Sequence, residues 1–266
     1  MIAALGLPML ASKEGAEVDR LMLLVHLFMA VLFVGWLLYG VFILWRFRRS
    51  RNPKADPSGS RSRASYYIEM GVVAVEVLLL VAFSIPFWVK NVAALPSEAD
   101  NPVIVRVVAQ QYAWNVHYPG PDGLFGRTSP ELMDDETNPV GLDREDEHAA
   151  DDVVKLNQLY LPIDRRALIY LASKDVIHSF ALPEFRVKKD VVPGTRNFVT
   201  FTPSVTTADL QKQTGDLDRT FEIACAQLCG LGHYRMRGFL FVVTGEEFDQ
   251  YLKDNAPSGE ADPFFL

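Results

Sequence analysis

Two long stretches with little charge dominate the first third of this chain and leave few architectures open to it. Leu21 to Trp45 is a run of 25 residues without Asp, Glu, Lys or Arg. As a helix it measures about 37 Å, more than the ~30 Å apolar slab of a bilayer. Ile68 to Val89 is long enough for a second crossing, about 33 Å at the same rise, and carries Glu69 near its start and Glu76 deeper in. Between the runs lie Arg46, Arg48, Arg49, Arg51, Lys54, Arg61 and Arg63 against the single acid Asp56. That basic excess assigns the connector to the cytoplasmic side, so both chain ends face outward. The first run is too long for the apolar region of a cleaved signal peptide, and it follows Glu14, Glu17 and Asp19 rather than a basic stretch. A carboxylate inside hydrocarbon is costly unless it faces protein or water, so Glu76 implies a helical membrane partner.

After Lys90 the pattern changes to short β-rich runs: Val103 to Val108, Leu159 to Leu161, Ala167 to Ala172, Phe198 to Phe201, Thr220 to Ile223 and Phe239 to Val243. Pro, Gly, Asp and Asn separate them, the pattern of an all-β sandwich. Thr244 with Glu247 forms a capping box, and Phe248, Tyr251 and Leu252 give the short helix behind it one apolar face. The expected organisation is an outward segment 1–20, a transmembrane helix hairpin 21–90 with its basic loop 46–63, an outer β domain 91–255, and an irregular tail 256–266. Residues 121–152 interrupt the strands with eleven acids against Arg127 and Arg144, and read as a solvated acidic insertion.

Charge narrows the partners. The whole chain carries 26 basic and 33 acidic side chains, net -7, without the cationic excess a nucleic-acid binder needs. From Lys90 onward 17 bases face 27 acids, a net -10. Such an outer face steers a basic soluble partner.

The chemistry concentrates in Cys225-Ala226-Gln227-Leu228-Cys229-Gly230-Leu231-Gly232-His233-Tyr234-Arg235-Met236. Two thiols, an imidazole and a thioether fall within twelve residues, between two expected strands. Soft sulfur donors with imidazole and a weak methionine make up the donor set of copper electron-transfer sites. Zinc, a Cys225–Cys229 disulfide and two inert buried cysteines remain open on spacing alone. Of the other histidines, His26 reads as a helix contact, and His117 and His148 as solvated.

This loop resembles the dinuclear copper (CuA) loop of cytochrome c oxidase subunit II. The stretch Asp175-Val176-Ile177-His178-Ser179, continuing to Lys188, Asp190, Pro193 and Gly194, is similar to the same family's D-V-x-H-S segment. The resemblance implies a two-helix transmembrane hairpin followed by a cupredoxin-like Greek-key sandwich. It implies a copper pair bridged by Cys225 and Cys229, with His178 and His233 as terminal ligands and Met236 and the Gln227 carbonyl as weak ones. Gln227 stands where most members have the Glu that helps hold magnesium. A neutral amide is a poorer ligand for a hard cation, which weakens the case for magnesium at the subunit interface.

Gln111-Tyr112-Ala113-Trp114 resembles the family's Q-W-Y-W strand, with Tyr112 or Trp114 as the point where electrons enter. Glu76 stands near the family's proton-path Glu, although Phe83 replaces the proline seven residues on. The implied partners are the haem-bearing subunit I with other membrane subunits, and cytochrome c or a similar donor on the acidic outer face. The implied place is a bacterial inner membrane. No Cys-x-x-Cys-His occurs in the sequence, so no c-type haem is attached to this chain. Two other roles fit part of the pattern, the scaffold subunit of a quinol oxidase and a membrane-tethered copper carrier.

Overall fold

The computed structural model describes residues 6–54, 57–59 and 62–257. Asp56, Arg61 and the tail beyond 257 lie outside them. The chain divides into two compact units, one of Glu17–Ala93 and the other of the residues up to Ala16 and from Ala94 onward.

The first unit holds two helices long and apolar enough to cross a membrane, α1 (Gly15–Arg46) and α2 (Ala64–Ala93). Neither apolar stretch is buried inside the protein, and apolar side chains on every face are what a membrane span requires. α2 widens into π-helical turns at Leu80–Ser84 and Val89–Ala93. Glu17 accepts hydrogen bonds from Lys90 Nζ at 2.7 Å and Asn91 Nδ2 at 3.0 Å, joining the start of α1 to the end of α2. Glu76 lies mid-helix on α2, exposed on the single chain.

The second unit is a sandwich of two five-stranded sheets. Its strands are β1 (Val103–Gln110), β2 (Ala113–Tyr118), β3 (Val153–Leu156), β4 (Gln158–Pro162), β5 (Ala167–Ser173), β6 (His178–Leu182), β7 (Val187–Val191), β8 (Asn197–Phe201), β9 (Phe221–Cys225) and β10 (Arg237–Val243). One sheet runs β3-β2-β1-β5-β8 and the other β4-β10-β9-β6-β7. β1 with β5 and β4 with β10 pair in parallel, so the chain crosses repeatedly between sheets, and the result is cupredoxin-like. β1 alternates in burial, sending Val103, Val105, Val107 and Ala109 into a core shared with Leu159, Phe180, Ile223 and Leu240 of the second sheet.

Asn157 marks one crossing, with a left-handed backbone (φ 57°) between β3 and β4. Its N–H donates to the Trp114 carbonyl at 2.7 Å, its Oδ1 accepts from Trp114 N at 2.8 Å, and its carbonyl accepts from Phe239 N at 2.8 Å. The N-terminal segment also joins this unit. Ser12 Oγ donates to the Phe185 carbonyl at 2.7 Å, and the Glu14 carboxylate accepts from both N and Oγ1 of Thr202 at 2.8 Å.

Two further helices are α3 (Thr207–Thr214), which the sequence pattern does not announce, and α4 (Gly245–Asn255). α4 starts at the expected capping box, with the Thr244 side chain accepting from Glu247 N and the Glu247 carboxylate accepting from Thr244 N.

The acidic insertion departs from the solvated loop that its composition suggests. Val140, Leu142 and Ala149 form a small core of their own against Val108 and Val154, covering the outer face of the first sheet. His117, expected in solvent, is 1% exposed and pairs through Nε2 with Asp152 Oδ2 at 2.7 Å, the carboxylate itself being wholly buried. Phe125 packs edge-on to His117, with its ring face under the Arg106 guanidinium 3.9 Å away. Most of its acids lie on the outside of this lobe, and its few apolar residues are too scattered in sequence to show as a period.

Candidate metal centre

The loop from Ala226 to Met236 joins β9 to β10 and closes through a single 3-10 turn, His233–Arg235. Cys225 is the last residue of β9 and His178 the first of β6. Those strands pair antiparallel with Phe180 opposite Cys225, and Ala226 N donates to the Ser179 carbonyl at 2.9 Å. Strand pairing therefore carries the upstream histidine to the loop across 47 residues of sequence.

Around the two sulfurs the donors converge. Cys225 Sγ and Cys229 Sγ are 3.7 Å apart, both cysteines free. His178 Nδ1 lies 3.9 Å from Cys225 Sγ, and His233 Nδ1 lies 3.5 Å from Cys229 Sγ. Met236 Sδ is 3.7 Å from Cys229 Sγ, and the Gln227 carbonyl is 3.3 Å from Cys225 Sγ. His178, Cys229 and Met236 are buried, while Cys225 and His233 are partly covered. Six donors thus meet from one loop and the ends of two strands, and this His/Cys/Met cluster has the chemistry to bind copper.

The two thiols differ in acidity. Burial opposes ionisation of Cys225, but contacts with His178, Ser179, Gln227 and Cys229 outweigh it and bring the thiol down to about 6. At Cys229 burial and the neighbouring Cys225 act together and push the thiol up to about 11. Cys225 is thus the more acidic of the two, and a thiolate there attracts a soft cation.

His178 is aimed from behind. Its Nε2 donates to Asp175 Oδ1 at 2.8 Å, while Asp175 Oδ2 accepts from Gln111 N at 2.6 Å. Burial opposes the Asp175 charge, yet the bonds from His178, Gln111 and Val176 hold its carboxyl below the usual range. Burial likewise opposes protonation of His178, and its bonds to Cys225 and Asp175 raise it overall. With the proton on Nε2, the Nδ1 lone pair faces the sulfurs, the arrangement metal-ligating histidines adopt.

Gln111 and Tyr112 brace the loop from the other sheet. Gln111 Nε2 donates to the Cys229 carbonyl at 2.7 Å. The Tyr112 ring lies against Gly232, where an added Cβ would meet ring carbons at 2.5 and 2.6 Å. Gly230 has φ 127°, and a Cβ there would meet Tyr112 Oη at 2.6 Å. Both glycines are required, one for its backbone and both for the closeness of the aromatic ring.

Trp114 is fully buried, its indole edge-on to His178 with centroids 6.1 Å apart. Of the two aromatic candidates, Tyr112 is therefore the one at the rim. Leu228, Leu231 and Tyr234 project from the loop into solvent, Leu231 being 96% exposed. Glu76 belongs to the helical unit and does not join this cluster. Asp175 and Gln111 stood inside recognised motifs without a role. The signal for Asp175 is a carboxylate three residues before the histidine of the cluster.

Residues 103–243 match the family described as cytochrome c oxidase subunit II, periplasmic domain. The chain is similar to the alternative cytochrome c oxidase subunit 2 of Bradyrhizobium diazoefficiens, 32% identical over 222 residues, covering 83% of this chain and 74% of that one. It is similar also to the probable cytochrome c oxidase subunit 2 of Streptomyces avermitilis, 30% identical over 289 residues, covering 96% of this chain and 80% of that one. Among solved structures, the periplasmic domain of subunit II of cytochrome oxidase from Bradyrhizobium japonicum is 25% identical, with 57% of this chain and 92% of that one covered at a TM-score of 0.39.

Proposed function

Because this chain belongs to the cytochrome c oxidase subunit II family and is a membrane-anchored subunit of a haem-copper oxidase, we propose that it is where electrons enter that complex. It takes them singly from cytochrome c or a similar donor at a dinuclear copper (CuA) centre and passes them to the haem of subunit I, where oxygen is reduced and protons are pumped. On this reading the chain itself has no catalytic residues, the outer domain and both chain ends are periplasmic, and the membrane is the bacterial inner one.

The observation that carries the proposal is the meeting of two unbonded thiol sulfurs with two imidazole Nδ1 atoms and a thioether. Cys225 and Cys229 would bridge the metals, His178 and His233 would be terminal ligands, and Met236 and the Gln227 carbonyl weak ones. Copper held there would supply one-electron exchange. The donor set is sulfur-rich, so zinc, which has no use for the thioether, fits it less well.

The chain's own residues do the positioning. Asp175 locks the His178 ring, Gln111 holds the Cys229 carbonyl, and the buried Met236 lies against the Cys229 sulfur. A site held this stiffly reorganises little when its charge changes. Tyr112, at the rim and in contact with the loop, is the proposed contact for the donor, with Trp114 behind it. The acidic insertion reaches the same neighbourhood: Asp135 pairs at 2.7 Å with Lys174, the residue before Asp175. Its outward acids favour a basic donor. Gln227 exposes a neutral amide, so magnesium is not part of the proposed site. Glu76 is proposed to serve the proton path of the assembled complex.

Electron paramagnetic resonance of the oxidised protein, with copper counted per chain, tests this. A delocalised pair gives more hyperfine lines than a single copper can. One zinc per chain and no copper signal would defeat the proposal.

A further inference from the structure

Among the described residues, the bases at the end of α1 and just beyond it stand without acidic partners. Arg46, Arg48, Arg49, Arg51 and Lys54 fall within nine residues, and among the described residues none forms an ion pair. In the sandwich unit, by contrast, Lys13, Arg127, Lys174 and Arg219 each have a carboxylate within 2.6 to 3.2 Å. Five unneutralised cations at the end of an apolar helix repel one another unless an anion sits among them.

Two of these cations are organised by one ring. The guanidinium carbon of Arg51 lies 4.2 Å from the Trp45 ring centroid, and that of Arg48 lies 5.9 Å from it. Stacking occupies the flat face of a guanidinium and leaves its N–H edge for a planar or tetrahedral oxyanion. Arg48 uses Nε on Ser50 Oγ at 2.9 Å. Its Nη atoms, and the whole edge of Arg51, have no hydrogen-bond partner among the described residues. Trp45 itself is exposed at the end of the apolar run, the depth at which indoles meet lipid headgroups.

We propose that Trp45, Arg48 and Arg51 form a headgroup site for an anionic phospholipid, the phosphodiester being held by the two guanidinium edges. Membrane orientation alone asks only for positive charge; it does not call for arginine over lysine, nor for two guanidiniums on one indole. A lipid is favoured over free phosphate because the site starts where an apolar span ends, so a ligand with acyl tails is already concentrated there. The inference is independent of the copper reading.

The test uses the full chain in nanodiscs of equimolar phosphatidylcholine and phosphatidylglycerol, with co-purifying lipids counted by native mass spectrometry. The expected result is enrichment of phosphatidylglycerol, falling about fivefold for each arginine neutralised in Arg48→Gln and Arg51→Gln. The double variant Arg48→Lys with Arg51→Lys keeps the charge, and hence the orientation and fold; it is expected to lose most of the enrichment, as is Trp45→Leu. Full enrichment in the lysine variant would reduce the site to bare charge and overturn the proposal. So would no enrichment in the parent chain, the outcome if an acidic protein segment is the true partner. Displacement of the lipid by inorganic phosphate would assign the site to the free anion instead, and its persistence supports the lipid.

Discussion

Tyr112 and Gly232 touch across the two sheets so closely that the glycine has no room for a side chain: a Cβ would lie 2.5 Å from the tyrosine ring. The contact sets the height of the ligand loop beneath the aromatic ring, and its removal has a measurable sign. Gly232→Ala is expected to destabilise the outer domain by about 1–3 kcal/mol, the usual cost of overpacking. Combining it with Tyr112→Ala is expected to recover part of that loss. Denaturant unfolding of the single and double variants checks this, and strict additivity would show that the clash is not the cause.

Asp175→Asn keeps the size of the side chain and removes its charge. Because the carboxylate holds His178 through Nε2 and accepts from Gln111 N with its other oxygen, the variant is expected to bind copper about 10–100-fold more weakly. Competition with a chelator measures it. An unchanged affinity would mean that strand pairing alone aims the imidazole.

Cys225→Ser removes one of two sulfurs 3.7 Å apart. Copper per chain should fall, and the hyperfine pattern of a pair should give way to that of a single ion or vanish. A full pair signal in this variant would exclude the bridging role.

Within the acidic lobe, His148 Nδ1 pairs with Asp122 Oδ2 at 3.0 Å. The hydrogen bond to Asp122 raises the imidazole above its ordinary 6.5, with Glu147 and Asp146 adding to the pull. A bond from Leu124 N, with the same pairing to His148, lowers Asp122. A raised imidazole contributes stability below 6.5 and loses it as pH climbs through the folded value; a lowered carboxyl loses its contribution as pH falls through its own. The clip is therefore strongest between the two. A proton NMR titration should place the His148 ring above 6.5, and Asp122→Asn should bring it back down.

Thr244→Ala removes the hydroxyl that accepts from Glu247 N in the α4 capping box and leaves the Glu247 carboxylate its bond from the backbone N–H of residue 244. It should cost about 1 kcal/mol of domain stability and leave the copper spectrum unchanged, since α4 holds none of the converging donors. A spectral change would reveal coupling between α4 and the metal loop that no contact described above explains.

What could be read in advance was local. The two helices announce themselves through uninterrupted apolar length, and the ligand loop packs its donors into twelve consecutive residues. His117 was misplaced because its burial depends on Asp152, 35 residues away, and on a lobe whose apolar residues show no period. α3 went unseen because only Thr207 and Leu210 face inward in its eight residues. Its one local mark is Thr206 accepting from Asp209 N, a cap without the hydrophobic run that usually follows. Asp175 differs: it stands in plain view three residues before His178, but the group its second oxygen meets is Gln111, 64 positions earlier.

Asn157 takes on a larger meaning beside the copper reading. Its three main-chain and side-chain bonds rivet Trp114 on one sheet to Phe239 on the other, so the layers cannot slide past each other as oily surfaces can. Tunnelling rates decay steeply with separation. Here the spacing between the strand of Trp114 and β10, the strand that leaves the metal loop, is set by polar bonds of fixed length, and on the copper reading thermal jitter in the hydrocarbon filling would have little leverage over how fast charge crosses.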